Sequence, residues 1–498
     1  MTQRGRVWDR AVAVGGALML AMIGACSPAT RTAPTRTPPT PVRAAAIAPR
    51  DAAFLDTLGR RTFAYFWETA NPRNGLVPDR WPTRSFSSVA AVGFALTVYP
   101  VGVEHRWITR EEARDRVLTT LQFFVNAPQG TASAGMTGYH GFFYHFLDME
   151  TGRRFEHVEL STIDTGILLA GAMVCRQYFD RAEAGDSTVR ALADSLYFRA
   201  DWQWAQDRGQ TVSMGWRPEP APYQNERGFI TTRWHGYDEA MILYALALGS
   251  PTHPVGPAAW SGWTGTYQWG VFEGQNYLQF APMFGHQYSH VWIDFRGITD
   301  PYMRARGTDY FENSRRATLA QREYAVANPN GWRGYSAVTW GLSASDGPLD
   351  STFVVDGRRR EFHTYWPRGA GMDAQRDDGT LVPTAVGGSI PFAPEVTIPT
   401  LTAMRTRYGD ALFGRYGFVD AFNPTLREQG PSLHHGHIVP GEGWFDTDYL
   451  GIDEGPIVAM LENYRTDLVW RLMRSNPYVV RGLCRAQFSG GWLAGRCS

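Results

Sequence analysis

Three stretches of this chain set carboxylic acids at the mouth of an apolar run. They are "GYDEAMILYALAL" with Asp238 and Glu239, "EHVELSTIDTGILLAG" with Glu156, Glu159 and Asp164, and "DTDYLGIDEGPIVAM" with Asp446, Asp448, Asp453 and Glu454. A helix that is apolar on every face is buried all round. Unpaired charge is costly to bury, so acids in such a place are either paired or used. One acid at one helix start needs no chemistry, because a carboxylate there accepts free N–H groups and complements the dipole. Ser161-Thr162-Ile163-Asp164 fits that pattern. Three buried-type helices with acids at the same end are harder to explain by capping alone. Brought together among aromatics, such acids suit glycosidic cleavage: one protonates the leaving oxygen, the other activates water or attacks the anomeric carbon. A helix N-terminus lowers a carboxyl pKa, so for Glu239 to donate, desolvation by Trp234 and Tyr237 and repulsion from Asp238 must prevail.

Other residues offer themselves to the same cleft. "FGHQYSHVWIDFRG" spaces His286, His290 and Asp294 four apart, on one face if helical. There is no HExxH and no third histidine nearby, so hydrogen bonding to substrate is expected rather than metal ligation. "WGLSASDGP" and "GFVDAFNP" read as polar loops presenting Trp340, Asp346, Asp420 and Asn423, and the "HHGH" at 434–437 as a flexible surface loop. No GxSxG elbow occurs. All 48 basic residues are arginine, which excludes Schiff-base, pyridoxal-phosphate and P-loop chemistry. Charge balances to zero without a basic block, so no nucleic-acid partner is expected. The 18 tryptophans suit sugar stacking as well as a dense core. No cofactor is expected.

The elements that must position these residues are helices. Apolar periodicity predicts them over 54–67, 86–103, 110–125, 161–180, 187–206, 237–248, 309–327, 395–408 and 453–474, and Thr109 with Glu112 forms a capping box at the third. Residues 161–174, 237–248 and 453–461 read as inner helices, and 110–125 and 187–206 as outer ones. The expected fold is therefore all-α, a toroid of helical hairpins with long loops on one face. "GFFYHFLD" at 141–148 is expected to be part of a hairpin near the cleft.

The two ends read differently. Arg4, Arg6 and Arg10 precede a short apolar run that stops at Cys26, and "IGAC" resembles a bacterial lipobox. This predicts export, a lipid anchor on Cys26, and a periplasmic or outer-membrane location. Residues 27–50 are rich in Pro, Thr and Ala and read as a tether, with one catalytic-scale domain over 51–480. In the Gly-rich tail, 481–498, Cys484 and Cys497 can close a disulfide in an oxidising compartment, while Cys175 reads as an inert core residue. A monomer is expected.

Ordered blocks carry a resemblance. "RRTFAYFWETANPRNGLVPDR", "ELSTIDTGILLAGAM", "HQYSHVWIDFRG", "WGLSASDGP", "PTAVGGSIPFAPE", "YGFVDAFN" and "GIDEGPIVAMLENYRT" together resemble the bacterial glycoamylase-like domain, over roughly residues 51–475. That group contains glycoside hydrolase family 144, the endo-β-1,2-glucanases. The resemblance implies an (α/α)6 toroid, metal-independent catalysis and action on β-1,2-glucan, an oligo- or polysaccharide substrate. Its acids fall on Glu159, Glu239 and Asp453; Glu239 and Glu159 are the first choice as catalytic acids, with Asp164 and Asp453 next. Stretches 217–232, 355–377 and 424–446 are longer than the resemblance leads one to expect and would reshape the cleft toward release of short units from a chain end. An exo-acting or transglycosylating relative, a non-catalytic glycan-binding lipoprotein and a polysaccharide lyase are the alternatives.

Overall fold

The computed structural model describes residues 48–222, 224–427 and 432–497. The signal-like segment, Cys26 and the tether as far as residue 47 lie outside these. Helix α1, Pro49–Thr69, begins two residues before the expected domain start. Proline suits that place, since its missing N–H would be unpaired in a first turn anyway.

Chain order then brings α2, Val89–Glu104; α3, Arg110–Asn126; α4, Thr162–Tyr178; α5, Ala184–Arg199; and α6, Met241–Gly249. After them come α7, Tyr288–Trp292; α8, Tyr310–Ala327; α9, Pro383–Gly387; α10, Pro394–Tyr408; α11, Gly451–Thr466; and α12, Pro477–Arg485. Local chemistry fixes several starts. Ser88 caps α2, both halves of the Thr109–Glu112 capping box are made at α3, Ser161 caps α4, and Asp309 caps α8. Two expected helices are broken. The 187–206 stretch ends at Arg199, and 453–474 divides at Asp467, whose left-handed φ of 60° interrupts the ladder.

The packing is a double ring. Helices α2, α4, α6, α7 and α11 touch in a closed circuit, α2 against α4, α4 against α6, α6 against α7, α7 against α11 and α11 against α2. Helix α9 stands between α7 and α11: it packs on α11, and Gln287 at the start of α7 donates to the Ala385 carbonyl at 2.8 Å. These are the almost wholly buried helices. The amphipathic ones lie outside, α1 on α2 and α11, α3 on α5, α10 on α9, and α12 on α6. The (α/α)6 arrangement follows from this alternation. Among the described residues no helix is long and apolar enough to cross a membrane.

Strand content is small and local. β1, Gly138–Tyr139; β2, Phe142–Tyr144; β3, Leu160–Ser161; and β4, Gly215–Trp216 form one antiparallel sheet in that order at the mouth of α4. The expected hairpin of 141–148 is its β1–β2 pair. The tail is not a separate appendage. Cys484 is bonded to Cys497, Ser489 pairs with Thr299, and the Trp492 indole N–H donates to the Asp294 carbonyl at 2.7 Å. Cys175 is buried, and burial pushes its thiol pKa up.

The tightest inner contact is backbone to backbone. A Cβ on Gly171 of α4 would stand 2.1 Å from the Gly93 carbonyl oxygen of α2, and one on Gly93 would stand 2.4 Å from that of Ile167. A backbone cannot yield as a flexible side chain can. Gly171→Val should therefore destabilise the ring by about 1–3 kcal/mol or more, read as a lower denaturation midpoint, whereas valine at Gly135, which borders open space, should cost only its positive-φ strain.

Candidate active site

The inner helices open toward one mouth, and short contacts tie their starts together. Ser289 Oγ, in α7, donates to the Glu239 carbonyl at 2.6 Å, while accepting from the Ile242 N–H of α6. Thr384 Oγ1, in α9, donates to the Asp453 carbonyl at 2.8 Å, and the Gly451 N–H donates to the Asp79 carbonyl at 2.9 Å. The acids of three distant stretches thus share one place.

On one side, the β2–β3 register sets His145 opposite Glu159. The His145 N–H donates to the Glu159 carbonyl at 2.9 Å, and its ring Nδ1 lies 2.8 Å from Glu159 Oε1. The other ring nitrogen is 3.5 Å from Asp164 Oδ1. Asp164 sits in the first turn of α4, its N–H bonded to Ser161 Oγ and its Oδ2 accepting from that hydroxyl. Arg217, just beyond β4, holds Glu159 Oε2 at 3.5 Å. Burial would raise the Glu159 carboxyl, but the cations of His145 and Arg217 outweigh it and hold the group down at about 2. Glu159 is therefore a carboxylate at any working pH.

Glu239 is the opposite case. It lies in a turn before α6, not inside the helix as expected, and no cation pairs with it among the described residues. Burial, with repulsion from Asp164, pushes its carboxyl up to about 7. Its neighbour Asp238 accepts the Ala240 N–H at 2.9 Å; burial and the charge of Glu239 raise it strongly. Glu159 and Glu239 keep part of their surface open, whereas Asp164, Asp238 and Asp453 are buried.

Across the mouth lies a second group of acids. Asp453 in α11 is raised well above the usual range by burial and by its carboxylate neighbours, and Asp420 and Asp446 behave alike. Arg80 sits among them. Its Nη1 is bonded to Asp346, its Nε is 3.3 Å from Asp79, and Asp448 is 3.8 Å away. Two sets, Asp346–His435–Asp448 and Asp346–Asp420–Asp446, bring one ligand atom each within 4.8 Å. The guanidinium already supplies positive charge to Asp346, which both sets share, so their geometry does not call for a metal ion.

The three long stretches each send a residue to this mouth. Arg217 reaches Glu159, the Tyr365 phenol is raised by burial and by nearby Asp453 and Asp420, and His435 lies 3.5 Å from Arg80. The 434–437 cluster lies at the surface as expected, with His434 and His437 exposed, but it is anchored: the His434 N–H donates to the Pro348 carbonyl and His437 is part of a strand.

Several expected substrate contacts are corrected. His286, His290 and Asp294 do not share a helical face, because the chain runs through a 3-10 turn at 283–286 before α7. Both imidazoles are buried, His286 against the Phe280 carbonyl and His290 against Ser314 Oγ, each at 3.0 Å. Asp294 is ion-paired with Arg296 and Arg474. The Trp340 indole donates to Thr400, and Asn423 is consumed by Asp378, Thr380 and Thr425. Tyr237 packs parallel to Tyr310, and the Trp234 indole donates to Thr162 at 2.8 Å; both shape the turn from beneath. Asp346 and Asp420 do lie at the mouth, bonded to one another through the Asp346 N–H.

His145, Arg80, Arg217 and Tyr365 were not singled out by sequence reasoning. Arg80 closes the quoted "GLVPDR" and His145 interrupts an apolar strand, and those are the only local signals. Replacing Arg80 with methionine should strand buried carboxylates, at a cost of about 3–5 kcal/mol near pH 8. Because burial favours the protonated form of a carboxyl left without its cation, that cost should shrink as the pH is lowered toward 5; chemical denaturation at the two pH values measures it.

Comparison with known proteins agrees with this architecture. The Glycoamylase family model, described as "Putative glucoamylase", matches residues 231–477. The chain is 30% identical to a "putative glucoamylase" structure from Bacteroides fragilis, with a TM-score of 0.73, covering 91% of this chain and 100% of that one. It is 26% identical to an endo-β-1,2-glucanase from Chitinophaga pinensis, solved with sophorotriose and glucose, with a TM-score of 0.73 and coverage of 89% and 99%. An exo β-1,2-glucooligosaccharide sophorohydrolase (non-reducing end) from Parabacteroides distasonis is 28% identical over 468 residues, which are 88% of this chain. This chain spans 58% of that relative's length. With matching motifs, matching ring and a matched structure covered end to end, the chain belongs to the glycoamylase-like family.

Proposed function

We propose that the chain is a glycoside hydrolase acting on β-1,2-linked glucan, with Glu239 as the proton donor. One observation carries the reaction type: two partly open carboxyls at one mouth are driven to opposite states. Glu159 is held ionised at about 2 and Glu239 protonated up to about 7. Pairs of acids whose environments push them apart are what acid–base cleavage of a glycosidic bond requires. Glu239 delivers its proton to the leaving oxygen as the bond breaks. An ionised carboxylate, Glu159 in this reading, activates water or meets the anomeric carbon. Asp453, opposite, is pushed up by burial and so suits that role less well than Glu159.

The substrate class is supported by the names of the β-1,2-glucan-cleaving relatives, one endo-acting and one exo-acting. Crowding of the mouth by Arg217, Tyr365 and His435 favours release of short units from a chain end over cutting within a long chain. Work outside the cytoplasm, with a lipid anchor on Cys26, is part of the same proposal, and the Cys484–Cys497 disulfide supports it because such bonds persist in oxidising compartments.

The test is hydrolysis of linear β-1,2-glucan by wild type and Glu239→Gln, with products separated by length. The variant should lose about 10²–10⁴-fold in kcat. An aryl β-glucoside, whose leaving group needs little protonation, should be spared most of that loss. For wild type, kcat/KM should fall about tenfold per unit once the pH passes about 7, as Glu239 gives up its proton. Polymer that is bound but left intact by wild type would move the assignment to a glycan-binding protein.

A further inference from the structure

His145 stands between two carboxyl groups, Glu159 and Asp164, and the charge of Asp164 bears on Glu239. The ring is held from every side. Its main-chain N–H and C=O are taken by Glu159 and by Val89, and Phe146 stacks on it with centroids 4.0 Å apart. Nδ1 lies 2.8 Å from Glu159 and Nε2 3.5 Å from Asp164, so one imidazole spans two carboxyl groups. Asp164 in turn is the residue whose charge bears on Glu239. With a side chain only 14% exposed, His145 itself offers little to a sugar.

We propose that His145 is a positioning residue, an imidazolium bridge that fixes the protonation of both reacting carboxyls without touching the substrate. The proposal rests on the glycosidase reading above. The charged groups facing the ring are Glu159 from the edge of β3, with Arg217 behind it, Asp164 from α4, and Asp79 from the segment that carries Arg80. Three acids against one ring give the bridge its sign. Burial alone would neutralise the imidazole, but Asp164, Glu159 and Asp79 lift its pKa to about 9. Both ring nitrogens then carry protons: Nδ1–H donates to Glu159, and Nε2–H faces Asp164 as an ion pair at 3.5 Å. The Glu159 side becomes a fixed anion. Burial raises the Asp164 carboxyl and the ring's charge opposes that rise, while negative charge on Asp164 adds to burial in keeping Glu239 protonated. His145 keeps its own protons throughout; the proton that moves in turnover is that of Glu239.

Removing the ring's charge should therefore act on both limbs of the pH profile at once. Without its main counter-charge, Glu159 rises from about 2 toward the ordinary carboxyl range, bringing an acid limb into view. Without the imidazolium, Asp164, already raised by burial, rises further, its repulsion fades, and Glu239 falls below about 7. The bell narrows from both sides. A histidine with only a packing role would lower the bell without narrowing it.

The experiment compares kcat/KM of wild type, His145→Gln and His145→Lys on β-1,2-gluco-oligosaccharides from pH 3 to 9, with thermal midpoints over the same range extended to pH 10. For His145→Gln the acid limb should move up by about 2 units or more, with the alkaline limb moving down. His145→Lys keeps a cation at the bridge and should retain the wild-type acid limb, which also decides the matter if the glutamine variant does not fold. Since the folded pKa of His145 is raised, the stability of wild type over His145→Gln should be full below about 6.5 and be lost as the pH passes about 9. A bell of unchanged width in an active His145→Gln, a lysine variant narrowed like the glutamine one, or a stability gap independent of pH would each overturn the bridge. A wild type that cleaves no β-1,2-glucan at any pH would instead overturn the glycosidase reading beneath it.

Discussion

The constraint on which the rest of this structure depends is negative charge concentrated where helices converge. Asp79, Asp164, Asp238, Asp346, Asp420, Asp446, Asp448, Asp453 and Glu454 are all buried at or near one mouth, with Glu159 and Glu239 half-buried beside them. Isolated ionised carboxylates in that setting would cost several kcal/mol each. The fold answers in two ways. Where cations are supplied, by His145 and Arg217 to Glu159, the acid is held ionised. Where none is supplied, as at Glu239 and Asp453, the carboxyl is pushed up and keeps its proton. Placement of His145 and Arg217 thus makes Glu159 the anion, while Glu239, with no cation paired to it among the described residues, is the donor.

The ring exists to make that placement rigid. Acids separated by hundreds of residues can act on one another only if the helix starts bearing them are fixed to fractions of an ångström. Glycine contacts let α2 and α4 meet backbone to backbone. Gln287, Ser289 and Thr384 then link α7, α9, α6 and α11 by side-chain hydrogen bonds to main-chain carbonyls. Packing supplies the stability and these bonds supply the register. The outer helices shield the inner ones, which is why the inner sequence can be apolar on every face while its ends are acidic.

Much of this was legible in the chain and some was not, for one reason. Helices, their caps and their inner or outer standing are written in local periodicity, so α2, α4, α6 and α11 are found close to where the apolar runs put them. The acid-bearing mouths are local too. What periodicity cannot report is a partner far along the chain. Arg80 meets Asp346 across 266 positions. His145 meets Glu159 only because a two-residue strand pairs with a three-residue one. Residue type misled at His286, His290 and Asp294, where a spacing of four presumed a continuous helix that the turn at Gln287 interrupts. A polar side chain facing a core and one facing a cleft look alike in a sequence.

One difficulty raised by the sequence is resolved by an offset of two residues. An acid in the first turn of a helix is stabilised as an anion, which is wrong for a proton donor. Asp164 occupies such a turn, and its backbone N–H and Ser161 help hold its carboxyl against the effect of burial. Glu239 does not, because α6 starts at Met241. The N–H of Ala240 is taken by Asp238 and that of Ile242 by Ser289, so two of the donors that would favour a Glu239 carboxylate are already used. The helix thus points its dipole at a mouth where Asp238 and Ser289 have each taken one of the donors. At Glu239 desolvation, with the repulsion of Asp164 added to it, outweighs the one backbone N–H that still favours the carboxylate, its own, and the proton is retained.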